Sequence, residues 1–177
     1  MRWIHPHHVA DTIHDVDYNK LVQHGVKAVL FDLENTLCPW RAWAFSPGTW
    51  TLLDKLAQQD IKLCVLTNAV VPPDHGLVRA LRAREIVLIP SARKPLRQGF
   101  RSALDRLGVH PCRAAIVGDQ LLTDILGGRR AGLITVLVNP LGPEESLPSR
   151  VNRRIERLLG RRVLAGEAPR TGRSRLR

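Results

Sequence analysis

The stretch "KAVLFDLENTLCPW", residues 27 to 40, runs through near-continuous apolar residues and then sets two carboxylates, Asp32 and Glu34, just beyond them. A strand that is apolar on both sides has to be covered on both sides, as in a parallel sheet sandwiched between helices. Along an extended chain end, alternate residues point the same way. The strand therefore delivers an acid pair to one place.

Comparable apolar runs recur along the chain. Residues 26 to 31, 61 to 66, 86 to 89, 114 to 118 and 133 to 139 read as strands, and residues 49 to 59, 76 to 83, 96 to 107 and 120 to 130 carry helical periodicity between them. The third helical segment places Phe100, Leu104 and Leu107 on one face and stops at Gly108. Strand and helix in strict alternation predict an α/β fold, a three-layer Rossmann-like parallel sheet with helices on both faces. At 177 residues and 44% apolar composition the chain is long enough for one real core. The expected organisation is a single domain over residues 1 to 160 and a basic tail over 161 to 177.

The formal charge of +11 is unevenly placed. Residues 150 to 177 hold ten arginines against Glu156 and Glu167, a local net of +8. Within them Val151, Ile155, Leu158 and Leu159 form a helical apolar stripe over residues 150 to 160. That stripe is read as a cap on the core with solvated arginines outside; binding to an anionic membrane surface or to RNA is the competing reading. No apolar run approaches the 18 residues of a transmembrane segment, and the N-terminus lacks a signal-peptide core. The expectation is a cytoplasmic protein, with peripheral membrane attachment through the tail as a variant. Cys38, Cys64 and Cys112 show no CxxC spacing and are read as buried thiols. His5, His7 and His8 are read as a solvated cluster on a mobile terminus. Trp40, Trp43 and Trp50 follow the first strand, and packing a flap onto the sheet is favoured over lining a binding mouth.

In parallel sheets the ligand crevice lies beyond the carboxyl ends of the strands. The candidates there are Asp32 and Glu34 after the first strand, Thr67 and Asn68 after the second, Asp119 after the fourth, and Asp124 on the helix that follows. Lys94 stands before Pro95, a residue suited to open a helix, which would put its ammonium beside a helix N-terminus. Clustered carboxylates repel each other and any phosphate, so the set needs a hard cation, and Mg²⁺ suits oxygen donors. An aspartate could then attack phosphorus while a lysine and a hydroxyl steady the phosphoryl oxygens. Neither G-x-x-x-x-G-K-[ST] nor G-x-G-x-x-G is present, which argues against a nucleotide-binding loop of either kind.

"DLENTL" at 32 to 37, "VLTN" ending at Asn68, "ARKP" at 92 to 95 and "GDQLLTD" at 118 to 124 resemble, in order and spacing, the four motifs of the haloacid dehalogenase (HAD) superfamily of phosphatases. Residues 10 to 160 are similar to the YqeG family, subfamily IIIA, whose eukaryotic relatives include mitochondrial phosphatidylglycerophosphate phosphatases. The resemblance implies a HAD-like fold with Asp32 as nucleophile and magnesium ligand. Glu34 would be general acid and base, lending its backbone carbonyl to the metal. Thr67, with Asn68 beside it, would bind the phosphoryl oxygens, and Lys94 would neutralise them. Asp119 would bind magnesium, and Asp124 would orient the metal shell or the lysine.

Two features qualify the likeness. The family usually has aspartate where this chain has Glu34, and the extra methylene moves the carboxyl by about 1.5 Å, enough to impair proton transfer unless the loop shifts. Only 35 residues separate Asp32 from Thr67 and 27 separate Thr67 from Lys94, which leaves no room for a cap domain. An open site implies a large phosphorylated substrate such as a phospholipid headgroup. The alternative is a weakly active HAD-fold protein that binds RNA or acts in ribosome assembly.

Overall fold

The computed structural model of the chain describes residues 5 to 142. The expected amphipathic helix at 150 to 160 and the tail at 161 to 177 lie outside the described residues. Six strands form one sheet: β1 (His8–Ala10), β2 (Ala28–Phe31), β3 (Lys62–Leu66), β4 (Val87–Ile89), β5 (Ala114–Gly118) and β6 (Ile134–Val138). Their spatial order is β1-β6-β5-β2-β3-β4, and every pairing is parallel.

The two-faced burial read from residues 26 to 31 is what the sheet shows. Every residue of β2 is buried. Val29 and Phe31 turn into one core with Leu53, Leu56, Leu77 and Leu81, from the helices α2 (Pro47–Gln58) and α3 (Gly76–Arg82). Ala28 and Leu30 turn into the other with Phe100 and Leu104 of α4 (Arg97–Leu107). Two cores, one on each face, make three layers. The chain winds outward from β2 to β4, then returns to β5 on the other side of β2. That reversal opens a crevice between the carboxyl ends of β2 and β5.

The helices differ from expectation mainly at their ends. α2 starts at Pro47, two residues early, because Ser46 caps it by accepting from Thr49 N at 3.0 Å. α4 starts at Arg97, so Pro95 lies ahead of the helix and not at its first position. The segment after β5 opens with a π-helical turn, Leu121–Ile125, before α5 (Leu126–Ala131). Periodicity at 3.6 residues cannot register such a turn. Among the described residues no helix is long and apolar enough to cross a membrane.

Two elements had no sequence signal, and one expectation is overturned. The helix α1 (Tyr18–Gln23) is a single short run, capped by Asp17, that buries only Tyr18 and Leu21. β1 has three residues, too few for a period to show, yet it pairs with β6 from His8↔Val136 to Ala10↔Val138. His7 and His8 are therefore held at the sheet edge and not on a mobile terminus, while His5 lies exposed ahead of the strand. His7 N donates to Thr135 O at 3.0 Å, and Thr135 N donates to His7 Nδ1 at 3.0 Å. Cys112 is exposed, contrary to the reading of three buried thiols, whereas burial pushes the Cys38 and Cys64 thiols up to about 12 and leaves them inert.

Partial burial, then the neighbouring charges of Arg129 and His8, hold the His7 imidazole below its ordinary value. A neutral His7 accepts from Thr135 N; a protonated one cannot. The folded form binds the proton less readily than the unfolded chain, so this contribution is complete above the unfolded value of about 6.5 and is lost as pH falls below it. His7→Ala should lower stability at pH 8 by about 1 kcal/mol and flatten the decline between pH 7 and 5. Urea midpoints across that range check both.

Candidate active site

Asp32 and Asp119 leave the ends of adjacent strands, and the sheet register fixes their separation: Phe31 pairs with Val117, and Asp32 N donates to Val117 O at 2.9 Å. Asp124 reaches the same spot from the π turn. Its Oδ2 accepts from Gln120 N at 3.1 Å, which folds the carboxylate back over the end of β5. Lys94 arrives from the opposite side of β2, on the loop after β4.

What aims that loop is Asn68. Its Oδ1 accepts from Lys94 N at 2.7 Å and its Nδ2 donates to Lys94 O at 3.1 Å, a two-point clamp on the lysine backbone. Ala92 N donates to Thr67 O and Ser91 N to Ala69 O, tying the rest of the loop to the end of β3. The ammonium of Lys94 then donates to Asp32 Oδ1 at 2.5 Å and to Asp124 Oδ1 at 2.7 Å. All three side chains are almost wholly buried.

The electrostatics follow from these positions. Burial, reinforced by Asp124, pushes Asp32 up to about 7 even though the Lys94 charge pulls the other way. Burial alone would lower the lysine; Asp124 and Asp32 outweigh it and hold the ammonium above its ordinary range. Asp119 brings a third buried carboxylate to the same place.

The carboxylate oxygens of Asp32, Asp119 and Asp124 all lie within 4.8 Å of one another. An all-oxygen, acidic cluster of this size fits a hard divalent cation, which would favour the ionised form of Asp32. Thr36 Oγ1 donates to Asp119 Oδ1 at 3.3 Å and helps orient that carboxylate.

Above the cluster opens a cavity of about 730 Å³ whose wall includes Asp32, Glu34, Thr67, Asn68 and Lys94. Thr67 Oγ1 accepts from Ala69 N at 3.0 Å, which leaves its hydroxyl proton for a bound oxygen. Every candidate read from the strand ends thus falls at one site. Glu34 stands apart within it: its Oε1 accepts from Arg41 N at 3.0 Å and from Trp43 Nε1 at 3.3 Å, so the carboxylate is turned to the loop and lies outside the three-aspartate cluster. Trp40 and Trp43 line the cavity as well, while Trp50 packs on Phe45 at 4.7 Å and under Arg84.

Arg41, Gln120 and Thr123 also line the cavity and carried no sequence signal. Gly118 was legible only as a strand residue. A Cβ there would come within 2.4 Å of the Asp124 carboxylate, so the strand must end in glycine for Asp124 to fold over it. Gly118→Ala should displace Asp124 by about 1 Å and lower activity on the order of a hundredfold, with a much smaller change in melting temperature; steady-state kinetics and a thermal melt separate the two.

With that geometry in hand, comparison with known proteins is specific. The HAD-hydrolase-like family matches residues 91–140, the span from the Lys94 loop through Asp119 and Asp124. Probable phosphatase YqeG of Bacillus subtilis is 30% identical over 86% of this chain and 87% of its own length. Phosphatidylglycerophosphate phosphatase 1 of Arabidopsis thaliana, chloroplastic/mitochondrial, is 28% identical over 92% of this chain, which spans 49% of that protein. The fold is shared with the cobalt-bound deoxy-D-mannose-octulosonate 8-phosphate phosphatase of Haemophilus influenzae, at TM-score 0.52 and 18% identity over 67% of this chain and 70% of that one. The chain belongs to the YqeG family of HAD-like phosphatases.

Proposed function

We propose that the protein is a magnesium-dependent phosphomonoesterase working through an aspartyl-phosphate, with Asp32 as nucleophile. The observation that carries the reading is the buried cluster in which Asp32 meets Lys94, Asp119 and Asp124 at the floor of an open cavity. Magnesium held by Asp32, Asp119 and Asp124, with the backbone carbonyl at Glu34 as a further ligand, would neutralise the phosphate and the carboxylates together.

In the first half, an Asp32 carboxylate oxygen attacks phosphorus. The bond from phosphorus to the leaving oxygen breaks with its electron pair, and protonated Glu34 gives its proton to that oxygen, releasing the alcohol. Lys94 and the Thr67 hydroxyl balance the charge on the phosphoryl oxygens, and Asn68 holds Lys94 in place. In the second half, Glu34 takes a proton from water as the water oxygen bonds to phosphorus, and the bond from Asp32 to phosphorus breaks. The carboxylate of Asp32 and the acid form of Glu34 are restored, and one phosphoester plus water has become alcohol plus phosphate.

The substrate read here is large or lipid-like, of the phosphatidylglycerophosphate kind. α2 and β3 take up the chain between Asp32 and Thr67, and α3 and β4 the chain between Thr67 and Lys94, which supports a capless domain over residues 1 to 160 with an exposed mouth. The name of the Arabidopsis relative points to the same substrate class. The basic tail at 161 to 177 would then meet an anionic membrane.

Release of phosphate from 4-nitrophenyl phosphate should require Mg²⁺ and be abolished by Asp32→Asn. Mg²⁺ should also raise the melting temperature of the wild type, by the equivalent of about 2.7 kcal/mol at a hundred times its Kd, and Asp119→Asn should remove that shift. An Asp32→Asn protein with wild-type activity would overturn the mechanism. Wild-type protein inert toward phospholipid, nucleotide and sugar phosphates alike would favour the alternative of a binding protein for RNA or ribosome assembly.

A further inference from the structure

Glu34 should be a handicap, since it sets the acid-base group one methylene too far out. The loop beyond it argues otherwise. Two N–H groups, Arg41 N and Trp43 Nε1, converge on the same oxygen, Oε1, and so fix the rotation of the carboxyl and leave Oε2 for proton exchange. An aspartate, about 1.5 Å shorter, would leave both donors well beyond hydrogen-bond range, because a separation of 3.6 Å is no longer a bond.

The loop is built to hold those donors where they are. Arg41 and Trp43 both adopt left-handed backbone, with φ of 58° and 40°. For bulky side chains this is rare and costs on the order of 1–3 kcal/mol each, so it persists only where the surroundings enforce it. Those surroundings are visible. The Trp43 ring stands edge-on to His75, the residue that caps α3, at 5.5 Å and 88°. The Arg41 guanidinium lies over the Trp40 ring at 4.7 Å. Behind them Asn35 N donates to Cys38 O at 2.7 Å and Cys38 N to Leu33 O at 3.1 Å, which anchors the start of the loop on the backbone of a buried residue.

We infer that Trp43 is a positioning residue for the proton-transfer step, and that the loop around residues 40 to 43 is matched to glutamate at position 34. The inference rests on the reading of Glu34 as acid and base. Trp43 acts through Glu34, holding Oε1 and so fixing where Oε2 can present a proton, and its loss should be felt most where the leaving group most needs that proton. Such a dependence separates it from a residue that merely packs the loop, whose loss would weaken all substrates alike.

The experiment compares kcat/KM on phenyl phosphate and 4-nitrophenyl phosphate with Mg²⁺, since phenolate needs the proton more than 4-nitrophenolate. Trp43→Phe keeps an aromatic ring at that position and removes the indole N–H together with the five-membered ring that carries it. It should lower kcat/KM about tenfold more on phenyl than on 4-nitrophenyl phosphate, the scale of one hydrogen bond to a charged group. Glu34→Asp, which leaves the loop untouched, should shift the same ratio in the same direction, and adding Trp43→Phe to it should shift the ratio no further. Equal falls on both substrates for Trp43→Phe would overturn the inference, as would a Glu34→Asp protein faster than wild type or an undiminished Trp43→Phe effect in the Glu34→Asp background. Asp32→Asn runs beside them: full activity there would defeat the aspartyl-phosphate reading itself, whereas an inactive Asp32→Asn with an unmoved ratio in Trp43→Phe would defeat the positioning role alone.

Discussion

The ammonium of Lys94, buried between Asp32 and Asp124, joins three parts of the chain that are far apart in sequence. Asp32 comes from the end of β2, Lys94 from the loop after β4, and Asp124 from the turn after β5. Removing one partner from such a buried set typically costs about 3–5 kcal/mol, because it strands the others unpaired. A hydrophobic trio would be easier to bury. The carboxylates gathered here are oxygen donors in a cluster that could hold a divalent cation.

Much of the fold depends on placing that triad. The Phe31↔Val117 register puts Asp32 and Asp119 side by side, and a slip of one residue would turn each side chain to the other face. The glycine at 118 clears space for Asp124, and the π turn brings Asp124 back over it. On the far side, Asn68 uses both ends of its amide on the Lys94 backbone. That clamp fixes where the loop sets the lysine.

Legibility followed how local each signal was. The sheet could be read because its strands are apolar on both faces, a property of consecutive residues. The acid, threonine and lysine candidates could be read because they stand directly beyond those runs. β1 was hidden because three residues cannot display a period, and its pairing depends on His7 meeting Thr135, 128 positions away. The clamp by Asn68 was hidden for the same kind of reason, being a contact across 26 residues between two loops. Asn68 lines the cavity beside Thr67, and the sequence could show that placement but not the clamp.

Glu34 shows where a position-by-position reading breaks down. Judged against the aspartate usual at that place, its extra length is an error of about one bond. Judged against Arg41 N and Trp43 Nε1, the same length is what closes the contact. The two readings differ only in whether the loop is treated as fixed, and the left-handed backbone at Arg41 and Trp43 shows that it has been bent to meet the glutamate. A functional carboxylate is placed by its backbone and by whatever holds its far end. The short loop supplies that second anchor from within the sheet's own connections among the described residues.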